Sequence, residues 1–284
     1  MQELLADPLV QSAGLPLTVA FAVAGLIRLI GGEQRGTALA SVAVAVGFVC
    51  AYAAVLGWPP MPPVSSNQKL VYIAVVGLAT GAALDFGRAS KALERILVAV
   101  LPLAALIWLG WNRLKAPDPA FLGLIAVLWI GGMVVLWRVG DARGWGIASS
   151  VMMLMASLGA GGLAVLGSAA SLAQLFFALA AALGGFMLWN WPKPRLPFRA
   201  AALFGAGLTW LALADAVVLY TKTPVVTFLP LLLVFFVEPL ARRLPLPRSA
   251  LGDALLPVAH AAIALIPVLA AVGTFMLLVE PSGY

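Results

Sequence analysis

Residues 200–221 read AAALFGAGLTWLALADAVVLYT, and Asp215 is the only charged side chain in this run. A bilayer core about 30 Å thick is crossed by roughly 20 apolar residues, each rising about 1.5 Å along a helix. Because the run has this length and polarity, it predicts a transmembrane helix. Similar runs recur along the whole chain, and they decide the fold class.

The composition agrees with a chain that is solvated by lipid. Hydrophobic residues make up 63% of the 284 residues, charged residues make up 10%, and the mean hydropathy is +1.06. Soluble domains carry roughly 25% charged residues, so this chain has too few to cover a water-facing surface. The sequence therefore predicts an all-α fold, a polytopic integral membrane helical bundle.

Ten apolar runs are long enough to serve as spans, and they fill a single transmembrane domain over residues 1–284. The turn between the sixth and seventh runs is indistinct, because small residues dominate there. The predicted spans are 12–32, 37–57, 69–87, 95–112, 120–138, 145–167, 170–191, 200–221, 224–241 and 252–279.

Ten spans divide into two five-helix halves, and an odd number of spans inverts the second half relative to the first. This is a known architecture of secondary transporters. The sequence Leu101-Pro102-Leu103 in the fourth span and Leu229-Pro230-Leu231 in the ninth fit this register, although Leu15-Pro16-Leu17 in the first does not.

Small residues at helical spacing predict where helices approach closely, because packing in lipid depends on close backbone contact. The candidate positions are Gly77 with Gly81, Ser157 with Gly161, Ala181 with Gly185, and the Gly205–Gly207 region.

Basic residues predict the orientation of the chain. Alternate loops contain 13 of the 17 Lys and Arg residues, and the opposite set contains only Lys69, Arg113, Lys115 and Lys222. Short loops rich in Lys and Arg stay in the cytoplasm, so both termini are expected on the non-cytoplasmic side. The start of the chain lacks a basic segment, and no cleavable signal peptide is predicted. Richness in Ala, Gly and Arg suggests a bacterial inner membrane.

The expected partners are the lipid bilayer and other membrane proteins. The net charge of +6 does not indicate nucleic acid, because the basic residues lie in short loops between apolar runs. One loop on the outer side is stiffened by four prolines. It serves either as a partner surface or as a rigid connector between spans, and its relevant residues are Trp58, Pro59, Pro60, Pro62 and Pro63.

Asp215 is the clearest candidate for chemistry, because an ionisable residue inside a membrane costs roughly 2.5–3.5 kcal/mol on insertion scales. It is either a proton, cation or substrate site, or an acid that ties helices together by bonding to a neighbour such as Thr209 or Tyr220. These two residues and Gln174 are also candidates for the lining of a path.

His260 is the second candidate, either as a proton relay or as a neutral side chain bonded to a carbonyl that Pro257 or Pro267 leaves free. Glu238 is expected to form a helical salt bridge with Arg242. Asp85 is expected to pair at the membrane edge with Arg88 or Arg28.

No phosphate-binding glycine loop, metal-ligand cluster or nucleophile motif is present in the sequence, and no cofactor or metal is predicted. The single cysteine, Cys50, excludes an internal disulfide, and the single histidine excludes a multi-histidine metal site.

Three functions are consistent with these features. The first is a permease-like protein for a small molecule or ion, with a path lined by Asp215 and His260. The second is a non-catalytic structural subunit of a larger membrane complex. The third and least favoured is a membrane enzyme that acts on lipid head groups.

Overall fold

The computed structural model describes residues 7–87, 89–145, 147–245 and 249–279. Within these ranges the chain is almost entirely helical and contains no strand, so the predicted all-α polytopic fold is confirmed. The helices are α1 Val10–Leu39, α2 Val42–Leu56, α3 Ser66–Gly87, α4 Lys91–Leu109, α5 Pro119–Asp141, α6 Ala148–Leu166, α7 Ala170–Leu188, α8 Ala200–Tyr220, α9 Val225–Phe236, α10 Glu238–Ala241 and α11 Ala250–Leu278.

Each of the ten predicted spans corresponds to a helix, but the helices differ in length. In the described part of the chain, eight are long and apolar enough to cross a membrane, while α2 and α9 are shorter. The indistinct turn between the sixth and seventh spans lies between Leu166 and Ala170. It includes Ser168, whose φ of 57° places it in the left-handed region.

Helix α9 is irregular. It begins with a 3₁₀ turn at Val225–Thr227, continues as a short α segment and ends with a second 3₁₀ segment at Leu233–Phe236. Pro224 and Pro230 lack a backbone N–H, so a regular α-helical hydrogen-bond ladder cannot form across this stretch.

Helix α8 lies at the centre of the bundle. It packs against α2, α3, α4, α5, α6 and α7. Every residue in it is buried except Val218 and Tyr220. The stretch quoted first in the sequence is therefore the core around which the other helices are arranged.

The closest contact of α8 is with α3, and two glycines of α3 make it possible. A Cβ at Gly77 would lie 2.4 Å from the carbonyl oxygen of Phe204, and one at Gly81 would lie 2.2 Å from that of Ala200. Only a residue without a side chain fits between two backbones at this distance. The predicted role of this glycine pair in packing agrees with the structure.

The other predicted small-residue positions also lie at helix contacts. A Cβ at Gly185 would lie 2.2 Å from the carbonyl oxygen of Leu17, which sets the approach of α7 to α1. Gly161 lies against the Phe177 ring and Gly207 lies against Leu136.

The two ends of the bundle differ in charge. At one end, called the basic end, the last turns of α1 meet the connections after α3, α5 and α7, as the shared cavities around Asp85 and Arg199 show. At the other end, the segment Trp58–Pro63, called the strap, covers the start of α3. This end is called the strap end. Tyr72 holds the strap there by donating a hydrogen bond to the carbonyl oxygens of Pro59 and Pro60 at 3.1 and 3.2 Å.

Helix contacts follow the predicted division into halves only in part. If α1–α5 correspond to α6–α9 and α11, two pairs of contacts match: α1 with α2 matches α6 with α7, and α4 with α5 matches α9 with α11. The third helices of the halves, α3 and α8, pack on each other. However, α1 packs extensively on α7, and α6 makes no comparable contact with α2 in the residues described. Pro102 also lies inside the long continuous helix α4, whereas Pro230 lies in the short α segment Phe228–Leu232 of α9. The inverted repeat stays a prediction.

Candidate functional site

Asp215 is buried in the second half of α8, with 6% of its surface exposed. Its side chain lines a small apolar pocket of about 50 Å³ between α5, α8 and the irregular helix α9. Among the residues that the structure describes, no side chain or backbone group forms a hydrogen bond or ion pair with its carboxyl group. A buried acid without a partner is costly, so this position needs an explanation other than packing.

A second polar group without a partner lines the same pocket. Trp210 lies five residues before Asp215, and its indole Nε1 is buried with no hydrogen-bond acceptor in the described structure. The Trp210 ring is held by edge-to-face contacts with Phe176 and Phe235, at centroid distances of 6.4 and 5.4 Å. A pocket of about 50 Å³ has room for a few water molecules.

The two neighbours proposed as anchors for Asp215 bond elsewhere. The Thr209 hydroxyl donates to the carbonyl oxygen of Gly205, and the Tyr220 hydroxyl donates to that of Leu109 at 2.6 Å. The expectation that Thr209 or Tyr220 ties down Asp215 is therefore wrong. Tyr220 instead joins the end of α8 to the end of α4.

His260 lies in α11 with 2% of its surface exposed. Its Nδ1 lies 2.8 Å from the carbonyl oxygen of Leu256, and its Nε2 is buried without a partner among the described residues. Leu256 is four residues before His260, so the acceptor is the carbonyl of the histidine's own helical turn. The prolines at 257 and 267 free the carbonyls of residues 253 and 263 instead, and the predicted acceptor is therefore wrong.

The structure does not gather the predicted path residues at one place. The pocket at Asp215 includes neither His260, Gln174, Thr209 nor Tyr220. Gln174 is half-buried in α7 and forms no side-chain hydrogen bond in the described part. Of the predicted path residues, Asp215 is the one that lines this pocket.

The strap is partly exposed. Trp58, Pro60 and Pro62 are exposed, whereas Pro59 is buried and Pro63 is half-buried. Met61 has 81% of its surface exposed, so the strap has an exposed apolar side chain. The hydrogen bond from Tyr72 holds the backbone of the strap in place.

A second polar site lies at the basic end, and Asp85 is at its centre. The Asp85 carboxylate accepts hydrogen bonds from the backbone N–H groups of Ala200 and Ala201 at 3.2 and 2.8 Å. These amides begin α8, where unpaired N–H groups and the helix dipole favour a negative charge. Asp85 thus caps α8 from a different helix. It does not pair with Arg28, which pairs with Glu33, and Arg88 lies outside the described residues.

Three adjoining cavities of about 850, 720 and 280 Å³ open around this cap, and Asp85 and Arg199 line all three. The largest lies between α4 and α5 and is called the basic-end cleft. Across it, Arg143 forms an ion pair with Glu94, and its Nε donates to the carbonyl oxygen of Gly140 at 3.0 Å.

The sequence did not indicate this cleft, because its charged residues come from four separate segments between residues 85 and 199. Each one alone is typical of a loop at the membrane edge. No pattern within a single helix shows that Asp85 reaches α8, 115 residues further along the chain.

Glu238 forms the expected ion pair with Arg242. In the described part of the chain, no group of three or more His, Cys, Asp or Glu side chains is placed to hold a metal ion.

The geometry and composition define a class: this is a multi-pass, all-α protein that is embedded in a membrane. No protein-family model matches the chain, and no curated protein matches its sequence.

Proposed function

We propose that the protein is a permease-like carrier in which Asp215 binds and releases a proton during transport. The observation that carries this proposal is the Asp215 carboxyl group, which is buried in the wall of the pocket and forms no hydrogen bond or ion pair with the described residues. Trp210 belongs to the same wall, and its indole N–H is buried without an acceptor among those residues. An acid that only stabilised the fold would be expected to have a hydrogen-bond partner.

The irregular helix beside the pocket supports the same function. Val225, Phe228, Leu229 and Leu232 of this segment line the pocket opposite Asp215. In carriers, binding sites within the membrane are often built next to interrupted helices, because an interrupted helix offers backbone groups and changes shape easily. The pocket of about 50 Å³ is too small for an organic solute, so the proposal concerns the proton alone.

Proton flux tests the proposal without knowledge of the solute. The full chain is reconstituted in liposomes that contain a trapped pH-sensitive dye, and a potential is imposed with potassium and valinomycin. We expect the protein to speed the change in internal pH that the potential drives, relative to protein-free liposomes. Asp215→Asn should return the rate to the protein-free value, because an amide cannot carry the proton.

Asp253→Asn is the matched control, because Asp253 is an exposed acid near the start of α11. It should leave the flux unchanged. Trp210→Phe keeps the ring packing but removes the N–H, and it should slow the flux without abolishing it. Equal flux in the parent protein and Asp215→Asn would overturn the proposal.

We also propose that the basic end faces the cytoplasm of a bacterial inner membrane. The positive-inside rule supports this orientation, because 13 of the 17 Lys and Arg residues lie in the loops assigned to that end. In a Cys50→Ser background, Lys193→Cys should be protected from an impermeant thiol reagent in intact cells, and Met61→Cys should react. The opposite labelling pattern would reverse the orientation.

A second candidate function is that of a subunit in a larger membrane complex, and the strap supports it. Trp58 and Met61 are 60% and 81% exposed on a backbone that Tyr72 holds in place. A partner that binds there should co-purify in fixed stoichiometry and be lost in the Trp58→Ala, Met61→Ala double variant. Trp111→Ala, which removes another exposed tryptophan at the strap end, is the control. Equal recovery with all variants would contradict this function.

A further inference from the structure

The basic-end cleft has a charge imbalance that the proton site does not explain. Its acids all have partners: Asp85 is bonded to two backbone amides, Glu94 to Arg143, and Asp141 to Arg138 at 3.2 Å. The arginine partners offset the charges of Glu94 and Asp141, whereas the neutral amides leave Asp85 as one negative charge in the cleft.

The basic side chains that line the three cavities are mostly unpaired. In the described part of the chain, no ion pair or side-chain hydrogen bond is formed by Arg199, Lys91, Arg95 or Arg35. Arg199 lines all three cavities, while Lys91 and Arg95 line the largest. Arg199 acts on Asp85 electrostatically, but the two backbone amides already hold that carboxylate. The cleft therefore presents net positive charge.

The walls of the cleft change character with depth. Charged side chains form its rim, and half-buried apolar residues of α4 and α5 form its floor, namely Val98, Ala99, Met133 and Val134. Trp137, an exposed aromatic residue of the kind that lies at the membrane interface, flanks the rim. A site with this profile suits a ligand that has an anionic head and an apolar part.

We propose that the basic-end cleft binds a phosphate-bearing anion, with Arg199, Arg95 and Lys91 as the residues that contact the phosphate. Guanidinium groups bind phosphate oxygens through two parallel hydrogen bonds, and lysine adds a point charge. The phosphate belongs either to a soluble phosphate ester or to the head group of an anionic lipid. This proposal is independent of the proton site at Asp215, which lies outside the cleft.

The experiment uses the full chain and two probes. In the first arm, the protein in phosphatidylcholine nanodiscs is titrated with glycerol 3-phosphate, and the dissociation constant is measured by thermophoresis. In the second arm, the protein is extracted from bilayers that contain phosphatidylglycerol, and the retained lipid is measured by native mass spectrometry.

The test variant is Arg95→Gln, Arg199→Gln, and the matched control is Lys193→Gln, Arg195→Gln. The control residues are exposed and follow α7 toward the same end, but they line none of the three cavities. Both variants remove two positive charges. We expect the test variant to weaken binding by about tenfold or more in one arm, and the control by less than about twofold.

The arm that responds identifies the source of the phosphate. Loss of glycerol 3-phosphate binding supports a soluble ester, and selective loss of retained phosphatidylglycerol supports a lipid. Equal losses in the test and control variants would overturn the proposal, because they would show a general effect of surface charge. Failure of the parent protein to bind either probe would also overturn it. Thermal unfolding of both variants checks the fold, and Lys91→Gln provides a second test if the double variant is unstable.

Discussion

Asp85 and Asp215 are both aspartates within apolar segments, and they lie near opposite ends of the same central helix. Asp85 accepts two backbone hydrogen bonds at the start of α8, whereas Asp215 lies near the end of α8 with no hydrogen-bond partner among the described residues. Asp85 joins α3 to the start of α8 through these hydrogen bonds. Asp215 is buried without such a contact among the described residues, and its proposed function rests on this difference.

We expect the largest loss of stability from a change at the contact between α3 and α8, which positions Asp85. Gly81 is one helical turn before Asp85, and a Cβ there would lie 2.6 Å from the Cα of Ala201. We expect Gly81→Ala to lower the free energy of unfolding by about 3 kcal/mol, because neither backbone can move without separating the helices. Thermal unfolding in detergent, followed by tryptophan fluorescence, measures the change.

Gly123→Ala is the control for this change. Gly123 lies in α5 with no atom near its Cβ position, so alanine there should alter stability by about 1 kcal/mol or less, in the stabilising direction. Similar losses from both substitutions would show that the close approach at Gly81 is not essential.

The matched pair Asp85→Asn and Asp215→Asn tests the comparison directly. Asp85→Asn removes the charge that faces the start of α8 and one good acceptor, and it should cost about 1–2 kcal/mol of unfolding free energy. Asp215→Asn removes no hydrogen bond, so stability should stay equal or rise. A loss at Asp215 as large as that at Asp85 would show that Asp215 has a structural role.

We expect a smaller contribution to stability from the ion pair between Glu94 and Arg143 at the basic end. About three quarters of each side chain is buried, so a double-mutant cycle with Glu94→Gln and Arg143→Gln should give a coupling of about 0.5–1 kcal/mol. The coupling should fall as salt is added, unlike the effect of Asp85→Asn. A coupling that salt does not change would mean that the pair is more deeply shielded than its exposure indicates.

Tyr220→Phe is expected to have the smallest effect. The change removes one hydrogen bond to the carbonyl of Leu109 from a side chain that is nearly half exposed, at a cost of about 1 kcal/mol or less. Proton flux should be unchanged, because this hydroxyl does not line the pocket at Asp215. Loss of flux with Tyr220→Phe would extend the proton path to the strap end.

The sequence predicted what depends on local pattern. Each of the ten longer helices overlaps one of the predicted apolar runs, although α1 extends seven residues past its predicted end, and Gly77 with Gly81 was one of the candidate positions for close packing. Both succeed because the bilayer fixes the length of a span and because a small residue is the only way for two backbones to approach.

Hydrogen bonds between residues far apart in the chain could not be predicted from the sequence. The amides that Asp85 caps belong to a helix that begins more than 100 residues later, and the acceptor of Tyr220 is similarly remote. The buried state of Asp215 was predicted correctly. Its lack of a partner was not, because that depends on which side chains line a pocket between three helices.

The short helix α9 affects the bilayer beside it. Its apolar part covers residues 225–236, and at a rise of about 1.5–2.0 Å per residue it reaches about 18–24 Å. A hydrocarbon layer is about 30 Å thick, so lipid next to the exposed Leu229 and Leu233 must compress to match. We expect the bilayer to thin on the flank where Asp215 lies, which would shorten the electrical distance between that carboxyl group and bulk water.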